Sequence, residues 1–244
     1  MPPTLSRGLL AALLALATAS PSPAAAQNYP NRPIRVVVGF PPGGSADLVA
    51  RLVSQKMTDL IGQTVFVENK PGADTIIAME SVAKAAPDGY TVGYVIGSSL
   101  TMNPTLYSKL PYDPAKDYIP VTLIANVPLA LVAHPSVPAN NAKEFAEYVR
   151  ANPNKLFYGH GNIIAKVATE SLLRVIGGKM NEVPYKGSTP NLQDLMRGEV
   201  QVTIEPIVGI LANVQQGKLR ALAVTGSERS ALLPDVPTVA QAGL

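Results

Sequence analysis

The sequence of 244 residues contains no cysteine and no tryptophan, and it has only two histidines, His134 and His160. Without cysteine, disulfide frameworks, thiolate metal sites and cysteine nucleophiles are all excluded. A zinc site of the usual imidazole type would need both histidines together with a carboxylate. The sequence therefore predicts no metal site.

Charge is also scarce, because only 15% of the residues are charged, and 20 Lys and Arg against 17 Asp and Glu leave a net charge of +3. No two basic residues are adjacent, so the chain lacks the basic stripe with which proteins bind nucleic-acid phosphates. We therefore expect no nucleic-acid partner. A hydrophobic content of 47% argues against disorder, and the length suits one large domain or two small ones.

The first residues have the layout of a cleavable secretory signal peptide. Arg7 supplies one positive charge, residues 8–19 form an apolar run, and the small residues 24–26 offer a cleavage site. An apolar run of about a dozen residues is too short to span the roughly 30 Å hydrocarbon layer of a membrane as a helix. We therefore predict a signal peptide over residues 1–26 and export of the remaining chain.

Beyond this leader, short β-branched runs alternate with amphipathic patterns of helical period, which predicts an α/β fold. Strands are predicted at residues 34–40, 65–68, 90–96, 156–158, 182–185, 200–204 and 219–224, with a kinked pair of strands at residues 121–133. Helices are predicted between Ser45, as a cap, and Gly62, and at residues 75–86, 142–151, 163–176, 189–196 and 207–216.

Several predicted strands end in a small or polar loop that begins a helix. Such loops occupy residues 42–45, 97–99, 159–162 and 186–188, and Glu205 with Pro206 follows the same plan. In an open parallel sheet these loops gather at the carboxyl ends of the strands, where ligands bind. Each helix start also offers unpaired N–H groups and a partial positive charge. The pattern predicts several helix N-termini directed at a polar or anionic ligand.

The loop of residues 40–47 is the strongest local feature. Gly43 and Gly44 allow a tight turn and a close approach of the main chain to a ligand. The loop is either a cradle of N–H donors for a carboxylate or an ordinary turn in which Ser45 or Asp47 satisfies the helix end. Nucleotide phosphates fit poorly, because neither the GxGxxG nor the P-loop pattern occurs, and no cofactor is predicted.

Two other polar residues each leave two interpretations open. His160 stands between glycines in a predicted loop, where it would either contact the ligand or face solvent. Glu205 ends a strand and would either accept hydrogen bonds from a ligand or cap the helix that Pro206 begins. His134, next to Pro135, has no neighbour in the sequence that could act as a catalytic partner.

Enzyme motifs are scarce, and neither GxSxG nor HExxH occurs. No catalytic residue is predicted, and the chain is not expected to be an enzyme. The alternative from that class is an exported α/β hydrolase of carboxylic esters, with Ser45, Ser98 or Ser99 as nucleophile and His160 as base.

The chain carries, in this order, the motifs FPPGG at residues 40–44, VENKPGA at 67–73, AKAAPDGYT at 83–91, LPYDP at 110–114, VPYKG at 183–187, GKLRALAV at 217–224 and LPDVPT at 233–238. In these motifs it resembles the substrate-binding proteins of tripartite tricarboxylate transporters, also called Bug-type extracytoplasmic solute receptors. The resemblance extends over essentially the whole chain after the leader.

The resemblance implies a two-lobed periplasmic-binding-protein type II fold, in which each lobe is a mainly parallel sheet flanked by helices. One lobe is expected to comprise residues 27–124 with residues 225–244, and the other residues 125–224. The lobes of such receptors close over a small di- or tricarboxylate or a related acid, which two integral membrane transporter subunits receive. We accordingly expect a periplasmic receptor or, with the same fold, a sensor that presents its ligand-bound state to a signalling partner.

In this family, the loop matching residues 40–47 and the loop after the strand matching residues 156–158 hold one ligand carboxylate, largely through main-chain N–H groups and ordered waters. Residues 74–78 and the short loop at 159–162 depart from the family pattern. The chain also ends at Leu244, where family members continue, so we expect the first lobe to be incomplete. The ligand-binding residues predicted from the strand-end loops and the resemblance together are Phe40, Pro42, Gly43, Gly44, Ser45, Asp47, Ser98, Ser99, Tyr158, Gly159, His160, Gly161, Lys186 and Glu205.

Overall fold

The computed structural model describes residues 29–244, so the predicted signal peptide lies outside the described residues. Strands and helices alternate along the chain, as the α/β prediction requires, and the strands form two sheets. Within residues 29–244, no helix is both long enough and apolar enough to cross a membrane.

The first sheet, with its helices, is called the first lobe below. Its strands are β1 (Ile34–Val38), β2 (Val65–Asn69) and β3 (Thr91–Tyr94), which run parallel in the order β2-β1-β3. Its helices are α1 (Ser45–Ile61), α2 (Ile76–Ala83), which follows a 3₁₀ turn at Ala73–Thr75, and the short α3 (Gly97–Thr101) and α4 (Asn103–Leu106). The central strand β1 is almost wholly apolar, as expected for a strand that other elements cover on its faces. Its Val36 and Val38 pack with Ala50 of α1.

The second sheet, with its helices, is called the second lobe. Its strands are β4 (Leu129–Ala133), β5 (Phe157–His160), β6 (Asn181–Pro184), β7 (Val202–Pro206) and β8 (Arg220–Val224). They lie in the order β6-β5-β7-β4-β8, with β4 antiparallel to both of its neighbours and the other pairs parallel. Its helices are α5 (Ala142–Ala151), α6 (Ile163–Ile176), α7 (Ser188–Arg197) and α8 (Ile207–Gln215).

Helices α5 and α6 begin and end at the predicted residues because their caps are encoded locally. The side chain of Asn141 accepts a hydrogen bond from the amide of Glu144 at the start of α5. The side chain of Asn162 accepts one from the amide of Ala165 at the start of α6. These bonds satisfy amide donors that the first turn of a helix leaves free.

Strand β5 ends later than predicted. It runs to His160 rather than to residue 158, because Gly159 pairs with Val183 and His160 pairs with Pro184 of the parallel strand β6. Gly159 and His160 therefore belong to the strand, and only Gly161 and Asn162 connect it to α6.

The predicted strand pair at residues 121–133 is only half formed. Leu129–Ala133 is a strand, whereas residues 121–128 have no regular structure. Pro128 and Asn126 interrupt the apolar run, and proline cannot donate to a strand ladder. Val121 and Leu123 are consequently exposed.

The last residues of the chain contact the second lobe. Thr238 forms a parallel bridge with Val224 at the end of β8, and Val239 and Leu244 pack against the core cluster that includes Phe145. In these contacts the apolar side chains of the segment pack on the second sheet, and the assignment of residues 225–244 to the first lobe stays a prediction. The division of the chain into lobes at residues 124 and 224 stays a prediction.

Phe145 of α5 is fully buried between the helix and the second sheet, where it shares a core with Leu131 of β4. We expect Phe145→Ala to lower the free energy of unfolding by about 3–5 kcal/mol, since it removes buried apolar surface and leaves a cavity. Urea denaturation followed by circular dichroism measures this. Phe66→Ala on β2, where the side chain is 44% exposed, is the matched control and should cost about 1 kcal/mol or less. Equal losses in the two variants would contradict the assignment of the core.

Candidate functional site

A cavity of about 90 Å³ lies where strand ends of the two lobes meet. In the first lobe its wall is formed by residues that follow β1 and end β3, and in the second lobe by residues that follow β5, β6 and β7. The lining residues are Phe40, Pro41, Gly44, Ser45, Ala46, Val49, Tyr94, Ile96, Val127, Asn162, Ser188, Pro206 and Val208. None of these residues has a charged side chain, and most of them are apolar.

The N-termini of four helices reach this cavity. Ser45 begins α1, Asn162 caps α6, Ser188 begins α7 and Pro206 caps α8, and all four residues line the wall. No side chain caps α1, α7 or α8, so amide donors in the first turns of these helices have no side-chain partner. Helix N-termini also carry a partial positive charge. This is the convergence of helix starts that the strand-end loops predict.

The two lobes touch beside the cavity through the loops that form it. The hydroxyl of Thr189 donates to the carbonyl of Pro42 at 3.1 Å. A Cβ atom at Gly187 would lie 2.5 Å from Cδ of Pro41, and one at Gly209 of α8 would overlap the hydroxyl of Ser45. The loops of the two lobes therefore approach each other as closely as glycine allows.

Asp47 stabilises the loop between β1 and α1 through hydrogen bonds on the side away from the cavity. Its carboxylate accepts hydrogen bonds from the Gly43 amide at 2.9 Å, from Nε of Arg51 at 2.8 Å and from Nδ2 of Asn69 at 2.8 Å. Burial would raise the pKa of Asp47, but these hydrogen bonds outweigh it and hold the pKa below its usual value. The carboxylate is buried and does not line the cavity; it positions the loop, and a direct contact of Asp47 with a ligand stays a prediction.

Ser45 does not cap α1 as predicted, because Gly44 occupies the cap position and Ser45 is the first residue of the helix. Ser45 lines the cavity, and its hydroxyl is buried and has no hydrogen-bond partner within residues 29–244. Buried polar groups are almost always hydrogen-bonded, so an unpartnered hydroxyl in a cavity wall needs an explanation. Phe40 and Gly44 line the cavity beside it, whereas Pro42 and Gly43 only shape the loop.

Ser98 and Ser99 lie in α3 rather than in the predicted loop, and both are buried outside the cavity wall. The hydroxyl of Ser99 is 2.7 Å from that of Thr75, and the carbonyl of Ser99 accepts a hydrogen bond from Tyr112. The contacts of Ser99 connect α3 with Thr75 and Tyr112 within the first lobe, and a ligand contact of Ser98 or Ser99 stays a prediction.

Three of the residues predicted around the end of β5 are also part of the protein interior. The buried hydroxyl of Tyr158 bonds to Glu170, and burial together with this bond raises the pKa of Tyr158. A Cβ atom at Gly159 would overlap the side chain of Asn191. A Cβ atom at Gly161 would overlap the main chain of Gly187, so the loops after β5 and β6 pack main chain against main chain.

His160 lies in strand β5, not in a loop, and it does not line the cavity. Its Nε2 is 2.8 Å from Oε1 of Glu182, which also accepts a hydrogen bond from Lys166 at 2.6 Å. The bond from Lys166, followed by the bond from His160, lowers the pKa of Glu182 against the opposing effect of burial. His160 is therefore buried and does not face solvent as a loop residue, and its contact with a ligand stays a prediction.

Glu205 and Lys186 lie outside the wall. Lys186 is exposed. Glu205 is fully buried within β7 and does not cap α8, because the cap position belongs to Pro206. Its carboxylate contacts Ser188 at 2.6 Å and Asn191 at 2.9 Å, both on α7.

The wall contains residues that the sequence prediction did not name. Asn162 and Ser188 stand at helix starts, so the cap pattern already pointed to them. Tyr94, Val127 and Val208 give no such signal, because apolar residues near strand ends are common in any α/β core. Among residues 29–244, no group of three or more acidic or histidine side chains could hold a metal ion.

A two-lobed α/β fold with a small cavity between facing strand ends defines a solute-binding protein of the periplasmic type. Residues 49–244 match the family model for the "Tripartite tricarboxylate transporter family receptor", TctC, and the chain belongs to this family. Its members are solute-binding receptors, so the chain is a receptor and not an enzyme, and the hydrolase alternative is wrong.

Individual relatives confirm the family and the fold. The chain is 37% identical over 225 residues to protein BugT of Bordetella pertussis, covering 91% of this chain and 69% of BugT. A solved R. palustris protein with adipate is 36% identical, with a TM-score of 0.85 over 88% of this chain and 73% of that one. MatC from Rhodopseudomonas palustris with bound malate is 35% identical, with a TM-score of 0.81 over 88% and 74%.

Asp47→Ala should lower the free energy of unfolding at pH 7 by about 2–3 kcal/mol, because three donors lose their acceptor. Since folding lowers the pKa of Asp47, its contribution is complete above its unfolded pKa of about 3.9 and is lost as the pH falls through the folded value. The difference between the two proteins should therefore shrink below about pH 4. Urea denaturation over a pH series measures it. Asp59→Ala, an exposed change on the same helix, should have little effect at any pH.

Proposed function

We propose that this receptor captures a small organic carboxylate in the cavity between its lobes and delivers it to the membrane subunits of a tripartite tricarboxylate-type transporter. The observation that carries this proposal is the convergence of four helix N-termini on a cavity without charged side chains. Export through the predicted signal peptide would place the receptor in the periplasm.

Main-chain donors can replace the water around a carboxylate in such a cavity. An anion moved out of water is stable only where other polar groups take over its hydration. Each helix N-terminus acts as roughly half a positive charge, and the first turns of α1 and α7 carry amide N–H groups that no side chain caps. Ser45, whose hydroxyl has no partner within the described residues, lines the same cavity. Ordered waters can bridge the remaining distances at little cost.

The size and the walls of the cavity suit a small acid. Its volume of about 90 Å³ is several times the roughly 10–15 Å³ that one water needs by the same measure, and far below the 300–1,000 Å³ typical of drug-sized ligand pockets. Val49, Ile96 and Val208 offer apolar surface for a carbon skeleton. Adipate and malate, which occupy two related structures, are acids of this kind.

Isothermal titration calorimetry against a panel of di- and tricarboxylates tests the proposal. We expect at least one acid to bind saturably, and its uncharged diamide or triamide to fail, because the helix N-termini select for negative charge. Circular dichroism of the same sample verifies that the protein is folded. If folded protein binds no acid of the panel, the proposed function is wrong.

Gly44→Val should weaken binding of that acid at least about tenfold, a loss of about 1.4 kcal/mol. The Cβ atom at residue 44 would lie 3.5 Å from Oγ1 of Thr189 and 3.9 Å from Cβ of Ser188, so the valine methyl groups fill the gap between the lobes. The fold should persist, because the φ of −81° at Gly44 is open to any residue. Gly97→Val is the control, since nothing lies within 4 Å of its Cβ position. Unchanged affinity in Gly44→Val would exclude this loop from the site.

A further inference from the structure

Glu205 is a carboxyl group buried directly behind the cavity wall. It is 0% exposed, and the next residue, Pro206, lines the cavity. Its two oxygens contact Oγ of Ser188 at 2.6 Å and Nδ2 of Asn191 at 2.9 Å. Both partners are uncharged. An ionised carboxylate that is buried without a cation is costly, and such a group takes up a proton instead.

No charged side chain among residues 29–244 forms an ion pair with Glu205. Strand β4 and helix α8, which pack against β7, contain no titratable residue. On the other neighbouring elements, Arg174 is exposed, and the remaining charged groups form hydrogen bonds with residues other than Glu205. These bonds join Asp194 to Arg197 and Tyr185, Glu182 to His160 and Lys166, and Glu170 to Tyr158. Burial raises the pKa of Glu205, and the hydrogen bonds from Ser188 and Asn191 oppose this only in part.

Ser188 connects this buried carboxyl group to the cavity. It lines the wall and contacts Glu205, and its hydroxyl has a single hydrogen to donate. When Glu205 is ionised, Ser188 must donate that hydrogen to the carboxylate and presents only lone pairs to the cavity. When Glu205 is protonated, its own O–H donates to Ser188, and the serine hydrogen is free to point at an anion.

We propose that Glu205 carries a proton whenever the cavity holds a carboxylate, so that the receptor binds its ligand only with Glu205 protonated. The inference rests on the proposed function, because it requires an anionic ligand beside Ser188. A negative ligand and an ionised Glu205 would repel each other across a single hydroxyl in a poorly hydrated site. Protonation removes the repulsion and turns Ser188 into a donor in the same step.

Infrared difference spectroscopy of the unchanged protein tests this directly. The acid that binds in calorimetry should give a complex with the C=O stretch of a protonated carboxylic acid, and this band should be absent from Glu205→Gln. Glu199→Gln, the same change at an exposed site of the second lobe, should keep the band. A complex that forms without the band overturns the inference and leaves the proposed function standing. Failure of every acid to bind is the separate outcome that removes the proposed function.

The pH dependence of affinity gives a second readout. Above the pKa of Glu205 in the free protein, the dissociation constant should rise up to tenfold per pH unit, because each binding event must then take up a proton. Glu205→Gln mimics the protonated acid and should bind with a flat profile across that range. Ser188→Ala should weaken binding about tenfold and keep the infrared band, because it removes the donor and not the proton. A sloping profile in Glu205→Gln would contradict the inference.

Discussion

The candidate site depends on two glycines, Gly161 and Gly187, at which the main chains of neighbouring loops pack directly against each other or against a proline. A Cβ atom at Gly161 would overlap the main chain of Gly187, and a Cβ atom at Gly187 would lie 2.5 Å from Cδ of Pro41 in the other lobe. Three strand-end loops are therefore packed as closely as a polypeptide allows. Because each of these loops begins a helix, this packing brings the N-termini of α1, α6 and α7 to a cavity of about 90 Å³. A bulkier residue at either glycine would move these helix ends apart.

The fold could be predicted where the determining interactions are local. Helices α5 and α6 carry their own caps in Asn141 and Asn162, and their observed bounds match those predicted. Strand ends were less predictable, since β5 extends to His160 only because β6 supplies a ladder partner 24 residues further along the chain. Residues 121–128 show the opposite case, in which an apolar run forms no strand because no neighbouring strand pairs with it.

The candidate site was predictable as a region and not residue by residue. Helix starts at strand ends identified the loops in advance. Residues of these loops, among them Gly44, Ser45 and Ser188, line one cavity in the structure. Other polar residues near the strand ends gave the same signal in the sequence, but their hydrogen-bond partners stand 22 to 24 residues away along the chain. These pairs are Asp47 with Asn69, His160 with Glu182 and Ser99 with Thr75. A buried polar side chain that serves the fold cannot be distinguished from one that serves a ligand until such distant partners are known.

In the cavity wall, main-chain donors and apolar side chains have different roles, and this difference has a consequence for how receptors of this kind diversify. In the proposed complex, main-chain donors would neutralise the charge of the ligand, and these donors are present whatever side chains surround them. Wall residues such as Ile96 and Val208 would shape only the space for the carbon skeleton. Their exchange alters which acid fits without touching the groups that hold its charge. New specificities are therefore reachable through single substitutions, and the same property makes the scaffold a convenient starting point for engineered sensors of organic acids.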